Sequence, residues 1–457
     1  MLVALALIGC ITVSAVLTSY DTDSPWMASA VQHYLTGGEF QLLGLRYPVL
    51  FGEVLFYADS LAYRFWPDYL AMRWVQMLAA LLAFPLCLML LQTLDTGERG
   101  KNALILMVFC LVMLASPVLL DGRPEAILVL CQVAVLCSLA RFCQDRQAGH
   151  LLPAGLCIAV GSVIHPNGVL PSLYVIVALV LGSRYGVRRL VPWLAISLAG
   201  GLLVLWGGLV WGRGLAAFIS AFREVSGDAG HGLAPYQEYL RYLAYFRRAP
   251  LHFWVVAGGM VCLFWPLRGT SAPGPQEALT FVRGSAVVTV VFLVFMPAKW
   301  EHYIAAFYVF SLIGVCRVLL RQEEAVRRGL AMAMVALIGS VWAQEAIAND
   351  AAHRLLNLST GRGQILASMQ ERVRGSKVLG PVKLYFYVSK ETDFHITEKT
   401  APDDIKKMAD LQWLIVESLV DRRQLAAVTG RCLDHEMSLL FNRTHYNLYR
   451  VTSCPAA

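Results

Sequence analysis

Residues 124–142 read PEAILVLCQVAVLCSLARF. A proline and an acid open the run, and after Glu125 the next charge is Arg141. Nineteen residues of helix rise about 28 Å, close to the hydrocarbon thickness of a bilayer. This stretch therefore reads as a membrane span. Working outward, similar runs recur near 2–20, 70–94, 102–120, 151–165, 168–183, 190–211, 251–267, 281–297, 303–320 and 328–346. The expected fold is an α-helical polytopic membrane protein with about eleven transmembrane helices. The 151–165 and 168–183 runs are short, and only His165-Pro166-Asn167-Gly168 separates them. A single broken helix there would reverse the orientation of everything downstream.

Composition points the same way. Of 457 residues, 57% are hydrophobic and 15% charged, against roughly 25% charged in a soluble domain. Mean hydropathy is +0.57. These values exclude a cytosolic enzyme, a disordered chain and a secreted disulfide scaffold. The net charge of +7 sits in short runs between the spans, so it indicates cytoplasmic loops and no nucleic-acid partner. Residues 1–20 lack a basic start and a clear small-residue cleavage site, and read as a retained first helix rather than a signal peptide.

The loops alternate. One set is basic, with Arg99, Lys101, Arg141, Arg146, Arg184, Arg188, Arg189, Arg268, Arg317, Arg321, Arg327 and Arg328. The short loops of the other set carry Arg123 and Lys299 alone. The positive-inside rule puts the first set and the N-terminus in the cytoplasm. The long loops 21–69 and 212–250 and the polar segment 347–457 then lie outside. Two domains are expected: 1–346 in the membrane, and 347–457 as a small extracytoplasmic α/β or α+β domain. Strand-like runs in the latter are Lys383 to Val388, Trp413 to Val416 and His445 to Val451. In loop 21–69, Trp26, Met27, Val31, Tyr34 and Leu35 have near-helical spacing and suit interfacial helices. No internal repeat is visible. Most of the eleven Cys, such as Cys87, Cys110, Cys131, Cys137 and Cys157, read as small buried hydrophobes. Cys432 and Cys454 could pair if the tail is outside the cytoplasm.

Four polar motifs fall on the expected outer face. Asp21-Thr22-Asp23-Ser24-Pro25 follows the first span; its carboxylates could serve as general base or hold a divalent cation, or the run is a solvated turn. In Asp121-Gly122-Arg123-Pro124-Glu125 the guanidinium offers a fork to a phosphate, or else snorkels while Pro124 and Glu125 start a helix. His165-Pro166-Asn167-Gly168 is a bend beside a site, with His165 a phosphate or sugar ligand, or a plain tight turn. Pro297-Ala298-Lys299-Trp300-Glu301-His302-Tyr303 gathers a cation, an indole, a carboxylate and an imidazole. An interfacial belt explains Lys299, Trp300 and Tyr303 but gives no reason for Glu301 and His302. The charges in 212–250, from Arg213 to Arg248, could line an acceptor groove or simply be solvated. No P-loop, GxGxxG, CxxC or HExxH motif occurs, which argues against ATP-driven transport and zinc proteolysis.

Taken in order, the motifs resemble those of the GT-C glycosyltransferases, which use polyprenyl-phosphate sugars, and most of all the mycobacterial-type arabinosyltransferases. Asp21-Thr22-Asp23-Ser24-Pro25 is similar to the family's Asp-Asp-Pro, and Pro48 to Gly52 to its Pro-Phe-Gly. Arg123-Pro124-Glu125, Leu151-Leu152-Pro153, Pro166-Asn167-Gly168 and Lys299-Trp300-Glu301-His302 match further elements in the same order. The likeness covers residues 1–320. Two departures stand out. Thr22 separates the two acids, and Asp23 aligns best with the downstream Pro25, Ala28 and Ala30. Segment 347–457 bears no likeness to the family's large carbohydrate-binding module, so a smaller relative acting on a surface protein such as a pilin fits better.

The resemblance implies a glycosyltransferase in the bacterial inner membrane. It implies a polyprenyl-phosphoryl sugar donor, arabinofuranose by likeness, and an extracytoplasmic protein or glycan acceptor. Asp23 is the expected base, with Asp21 as its neighbour or a metal ligand. Arg123, Glu125, His165, Lys299, Trp300 and His302 are the expected donor-binding residues. No cofactor is certain; a divalent cation is a candidate, with Asp21 and Asp23 as its ligands if one is held. A lipid-linked glycan flippase would instead place charges inside several spans, and a non-catalytic assembly factor would leave the Lys299–His302 cluster unexplained.

Overall fold

The computed structural model describes residues 27, 28, 31, 32, 35, 53–65, 71–94, 124–182, 250–266, 273–295, 301–319, 329, 333, 361–381, 384, 388, 392–397, 402–417, 430–441 and 444–454. The expected spans near 2–20, 102–120 and 190–211 lie outside these residues. So does that near 328–346, apart from residues 329 and 333. In loop 21–69, Met27, Val31 and Leu35 are helical as their spacing suggests, and Met27 and Val31 are buried. Trp26 and Tyr34 are outside the described set.

The membrane part contains α1 (Glu53–Phe65), α2 (Ala71–Thr93), α3 (Glu125–Asp145), α4 (Leu151–Ile164), α5 (Leu170–Gly182), α6 (Pro250–Phe264), α7 (Pro273–Phe295) and α8 (Tyr308–Leu319). Among the described residues, α2, α3 and most of α7 are long and apolar enough to cross a membrane. α7 begins at Pro273, earlier than the expected 281, because the polar Gln276 and Glu277 fit a helix start as well as a loop. α3 is the hub: 67% of its apolar stretch is buried, against 39% in α2 and 44% in α7. It packs on α2, α4, α5 and α7. A helix apolar on every side belongs inside a bundle.

The outer surface is apolar too. Trp74, Leu78 and Leu82 form one exposed stripe on α2, and Val287, Val290, Val291 and Val294 another on α7. Inside, polar side chains bond one another. An apolar rind around a partly polar interior is what lipid as solvent selects.

The helices run alternately between two ends. Gly161 of α4 lies against Cys131 of α3, and Gln132 of α3 bonds Tyr174 of α5. Tyr174 meets Thr289 of α7, and Val177 meets Gly284. As α5 descends from 174 to 177, its α7 partner therefore falls from 289 to 284. The chain rises along α4 and returns along α5, reversing at the 3₁₀ turn Pro166–Val169. One continuous broken helix does not describe 151–182.

Close packing rests on small residues. A Cβ on Gly314 of α8 would overlap the backbone of Gly259 in α6, so these two helices touch main chain to main chain. Ser311 Oγ donates to Val256 O at 2.7 Å across the same contact. Arg317 Nη1 and Arg283 Nε each donate to Leu263 O at 2.9 Å, satisfying carbonyls at the C-terminal end of α6. Arg146, just past α3, pairs with Glu277 in the first turns of α7. Basic residues thus gather at the end of the bundle opposite Glu125.

The C-terminal part is a five-stranded mixed sheet. Its strands are β1 (Lys377–Gly380), β2 (Asp393–Ile396), β3 (Trp413–Glu417), β4 (Cys432–Phe441) and β5 (Thr444–Thr452), in the order β2-β1-β3-β5-β4. β1 pairs in parallel with β2 and β3, while β5 is antiparallel to β3 and β4. Both faces are covered. Trp413 and Ile415 join Met369 and Val373 of α9 (Gly361–Val373) on one side. Leu414 and Val416 join Ile405 of α10 (Pro402–Lys407) on the other. Such double burial explains why β3 is apolar without alternation. A disulfide, Cys432–Cys454, ties the start of β4 to the residues after β5.

The runs at 413 and 445 are strands, as expected, but the expected strand from Lys383 to Val388 is not found at the two positions described there. Its described residues, Leu384 and Val388, are helical and both buried in the core beside α9. They are four apart, the spacing of one helix face.

Candidate functional site

α3 positions the first site residue. Pro124 precedes Glu125, which is 4% exposed in the first turn of the helix. There the partial positive charge of the helix start favours a carboxylate. Leu128, Val129 and Gln132 follow on the same face at i+3, i+4 and i+7.

The turn between α4 and α5 supplies the second wall. His165 Nδ1 accepts from Asn167 N–H at 3.1 Å, capping the 3₁₀ turn. In the neutral ring this leaves the proton on Nε2. Gly168 is required by closeness, since a Cβ there would overlap the carbonyl of Gly161. The turn is thereby pressed onto the end of α4, next to α3. The third wall is the 3₁₀ helix Glu301–Phe307, which leads into α8 where a single helix from 303 is expected. Short 3₁₀ pieces of this kind are common at hinges and sites.

These walls enclose one cleft. Glu125, Gln132, Asn167, Gly168 and Tyr303 line it, with Leu128, Val129, Phe292, Leu293 and Ala306 as its apolar sides. Its empty space of about 500 Å3 includes the open mouth and the solvent in it. Three of the four motifs read in the sequence therefore reach the same end of the bundle. Glu125 represents the second, Asn167 and Gly168 the third, and Tyr303 the fourth.

Under the cleft runs a buried chain of hydrogen bonds. Gln132 Nε2 donates to Tyr174 OH at 2.8 Å and to Ala306 O at 2.9 Å. Tyr174 OH meets Thr289 Oγ1 at 2.7 Å, and Thr289 Oγ1 donates to Ser285 O at 2.9 Å. Since the Thr289 proton goes to Ser285, Tyr174 must donate to Thr289, and every donor is assigned. The sequence reading missed this network. Its signal is Gln132, the lone amide among apolar residues from 126 to 137.

Asp59 was missed as well. It lies in α1, which packs on α2 and α4, and is fully buried, with no hydrogen-bond partner among the described residues. Burial pushes its carboxyl well above the ordinary range.

Asp21, Asp23, Arg123, Lys299 and Trp300 lie outside the described residues. For Glu301 and His302 the backbone is described, in the first turn of the 3₁₀ helix, and the side chains are not. Among the described residues no group of three His, Cys, Asp or Glu could hold a metal ion. The acids expected to hold a divalent cation, Asp21 and Asp23, are not among them.

No family model matches the sequence, and no curated protein matches it. Solved structures do. ArnT from Cupriavidus metallidurans, bound to undecaprenyl phosphate, is 13% identical, covering 99% of this chain and 98% of that one, with a TM-score of 0.61. The archaeal oligosaccharyltransferase AglB from Archaeoglobus fulgidus, in complex with an inhibitory peptide and a dolichol-phosphate, is 10% identical over 94% of this chain and 71% of that one, with a TM-score of 0.53. Arabinosyltransferase EmbB from Mycobacterium smegmatis is 19% identical over 70% of this chain, with a TM-score of 0.50; this chain spans 30% of that protein's length. At these identities the likeness is one of fold. The chain shares the fold of ArnT and of the archaeal oligosaccharyltransferase.

Proposed function

We propose that the chain is a membrane glycosyltransferase that moves a sugar from a polyprenyl-phosphate carrier to an acceptor outside the cytoplasm. The observation that carries this reading is the cleft shared by Glu125, Asn167, Gly168 and Tyr303, drawn from three motifs far apart in the sequence. Fold likeness to proteins solved with undecaprenyl phosphate and with a dolichol-phosphate supports the carrier class. The Cys432–Cys454 bond supports an oxidising compartment for the C-terminal domain, 347–457. With the cleft at the end opposite Arg146, Arg283 and Arg317, the positive-inside rule supports an outward-facing site.

In this reading the sugar enters the cleft and its phosphate lies against Arg123, Lys299 and His302. His165 supports the turn, and Trp300 stacks on the sugar. Asp23 takes the proton of the acceptor hydroxyl, and Asp21 neighbours it or helps hold a divalent cation. The acceptor oxygen bonds to the anomeric carbon as the bond from that carbon to the phosphate oxygen breaks. The electron pair leaves with polyprenyl phosphate, whose growing charge the cations stabilise. Arabinofuranose as the sugar and a surface protein such as a pilin as the acceptor follow the motif likeness.

The test uses the protein in proteoliposomes with a labelled polyprenyl-phosphoryl arabinose. A transferase releases polyprenyl phosphate as label joins the acceptor. Label crossing the bilayer with the donor intact would instead establish a flippase.

A further inference from the structure

Three side chains bring oxygen acceptors to the cleft. Both protons of the Gln132 amide are committed, to Tyr174 OH and to Ala306 O. The orientation is fixed, because a flipped amide would press Oε1 against the Ala306 carbonyl, which cannot donate. Gln132 Oε1 therefore remains as an acceptor on a residue that lines the cleft. Asn167 lines it too, and its Oδ1 is buried with no partner among the described residues. Glu125 adds a carboxylate. These three oxygens offer lone pairs, which repel a phosphate and attract hydroxyl protons, beside the Tyr303 hydroxyl that also lines the cleft. A buried acceptor left unmatched costs stability, so the unpartnered Asn167 Oδ1 suits a ligand that donates, and Gln132 Oε1 offers a second acceptor beside it.

Resting on the transferase reading above, we propose that this cleft is the sugar subsite and that Gln132 Oε1 and Asn167 Oδ1 select the donor by accepting hydrogen bonds from its hydroxyl groups. The phosphate lies outside it. Tyr174, Thr289 and Ser285 are positioning residues that hold the Gln132 amide in register.

The test compares equilibrium binding of two probes to the full chain in nanodiscs: undecaprenyl phosphate, and undecaprenyl-phosphoryl arabinose. Asn167→Ala is the clean variant, since Oδ1 bonds nothing within the described protein. Gln132→Met is the second, with melting curves to confirm that each folds. The sugar-bearing lipid should bind wild type more tightly than the bare phosphate. Each variant should lose about threefold to tenfold of that affinity, the scale of one neutral hydrogen bond, with undecaprenyl phosphate unaffected. Asn167→Asp, which keeps an acceptor oxygen, should retain the preference. Equal losses for both probes, or no loss for either, overturn the subsite. A wild-type protein that holds both lipids equally overturns it too, yet leaves the transferase reading in place. Failure to bind either lipid removes both.

Discussion

Gln132 and Tyr174, on α3 and α5, are joined by a 2.8 Å hydrogen bond from the Gln132 amide to the Tyr174 hydroxyl. That bond couples the floor of the cleft to α7, because Tyr174 in turn donates to Thr289. Tyr174→Phe removes an acceptor and a donor at once and strands Gln132. It should lower stability by about 0.5–2 kcal/mol and weaken binding of the sugar-bearing lipid. Denaturation and lipid binding on one preparation check both. An unchanged melting curve would mean the network carries little energy.

Gly168→Ala and Gly161→Ala should differ sharply although the two glycines touch. A Cβ on Gly168 would fall on the Gly161 backbone, whereas one on Gly161 finds ordinary contacts at 3.5–3.6 Å. Gly168→Ala should cost about 1–3 kcal/mol and impair transfer, with Gly161→Ala close to wild type. Thermal melts of both variants decide it.

Asp23→Ala is expected to slow transfer from a labelled donor by about 10²–10⁴-fold, the usual contribution of a general base. Asp21→Ala should fall less if it serves only as a neighbour. Full transfer by both variants would remove these residues from the chemistry.

Asp59 gives a pH signature. Burial raises its carboxyl in the fold, so the folded state holds its proton more tightly than the unfolded chain does. Stability is then lost as pH rises from the unfolded value near 4 through the raised one. Asp59→Asn should melt higher than wild type at pH 7, with the gap closing toward pH 4. A lower melting temperature at pH 7 would show that the charge has a stabilising partner.

The disulfide closes a separation of 22 residues. Losing it through Cys454→Ser should cost the C-terminal domain about 3 kcal/mol. In intact cells the wild-type pair should resist maleimide until reduced. Ready labelling without reductant would place the domain in a reducing compartment.

Much of this molecule could be read locally. Hydropathy is summed along a segment, so α2, α3 and α7 were visible in the sequence, as were the order of the polar motifs and the strands at 413 and 445. The helical state of Leu384 and Val388 was not, because a short, mostly apolar run fits either period. β1, β2 and β4 carried too little pattern to find.

What the sequence determined alone is the solvent: so many apolar residues, in runs of helical length, have no stable home except lipid. Tertiary structure decided which distant groups become neighbours. Gln132 meets Ala306, and Gly161 meets Gly168, only because α3, α4, α5 and the turn before α8 pack side by side. That packing depends on shape and on matched donors across helices, properties no single segment possesses.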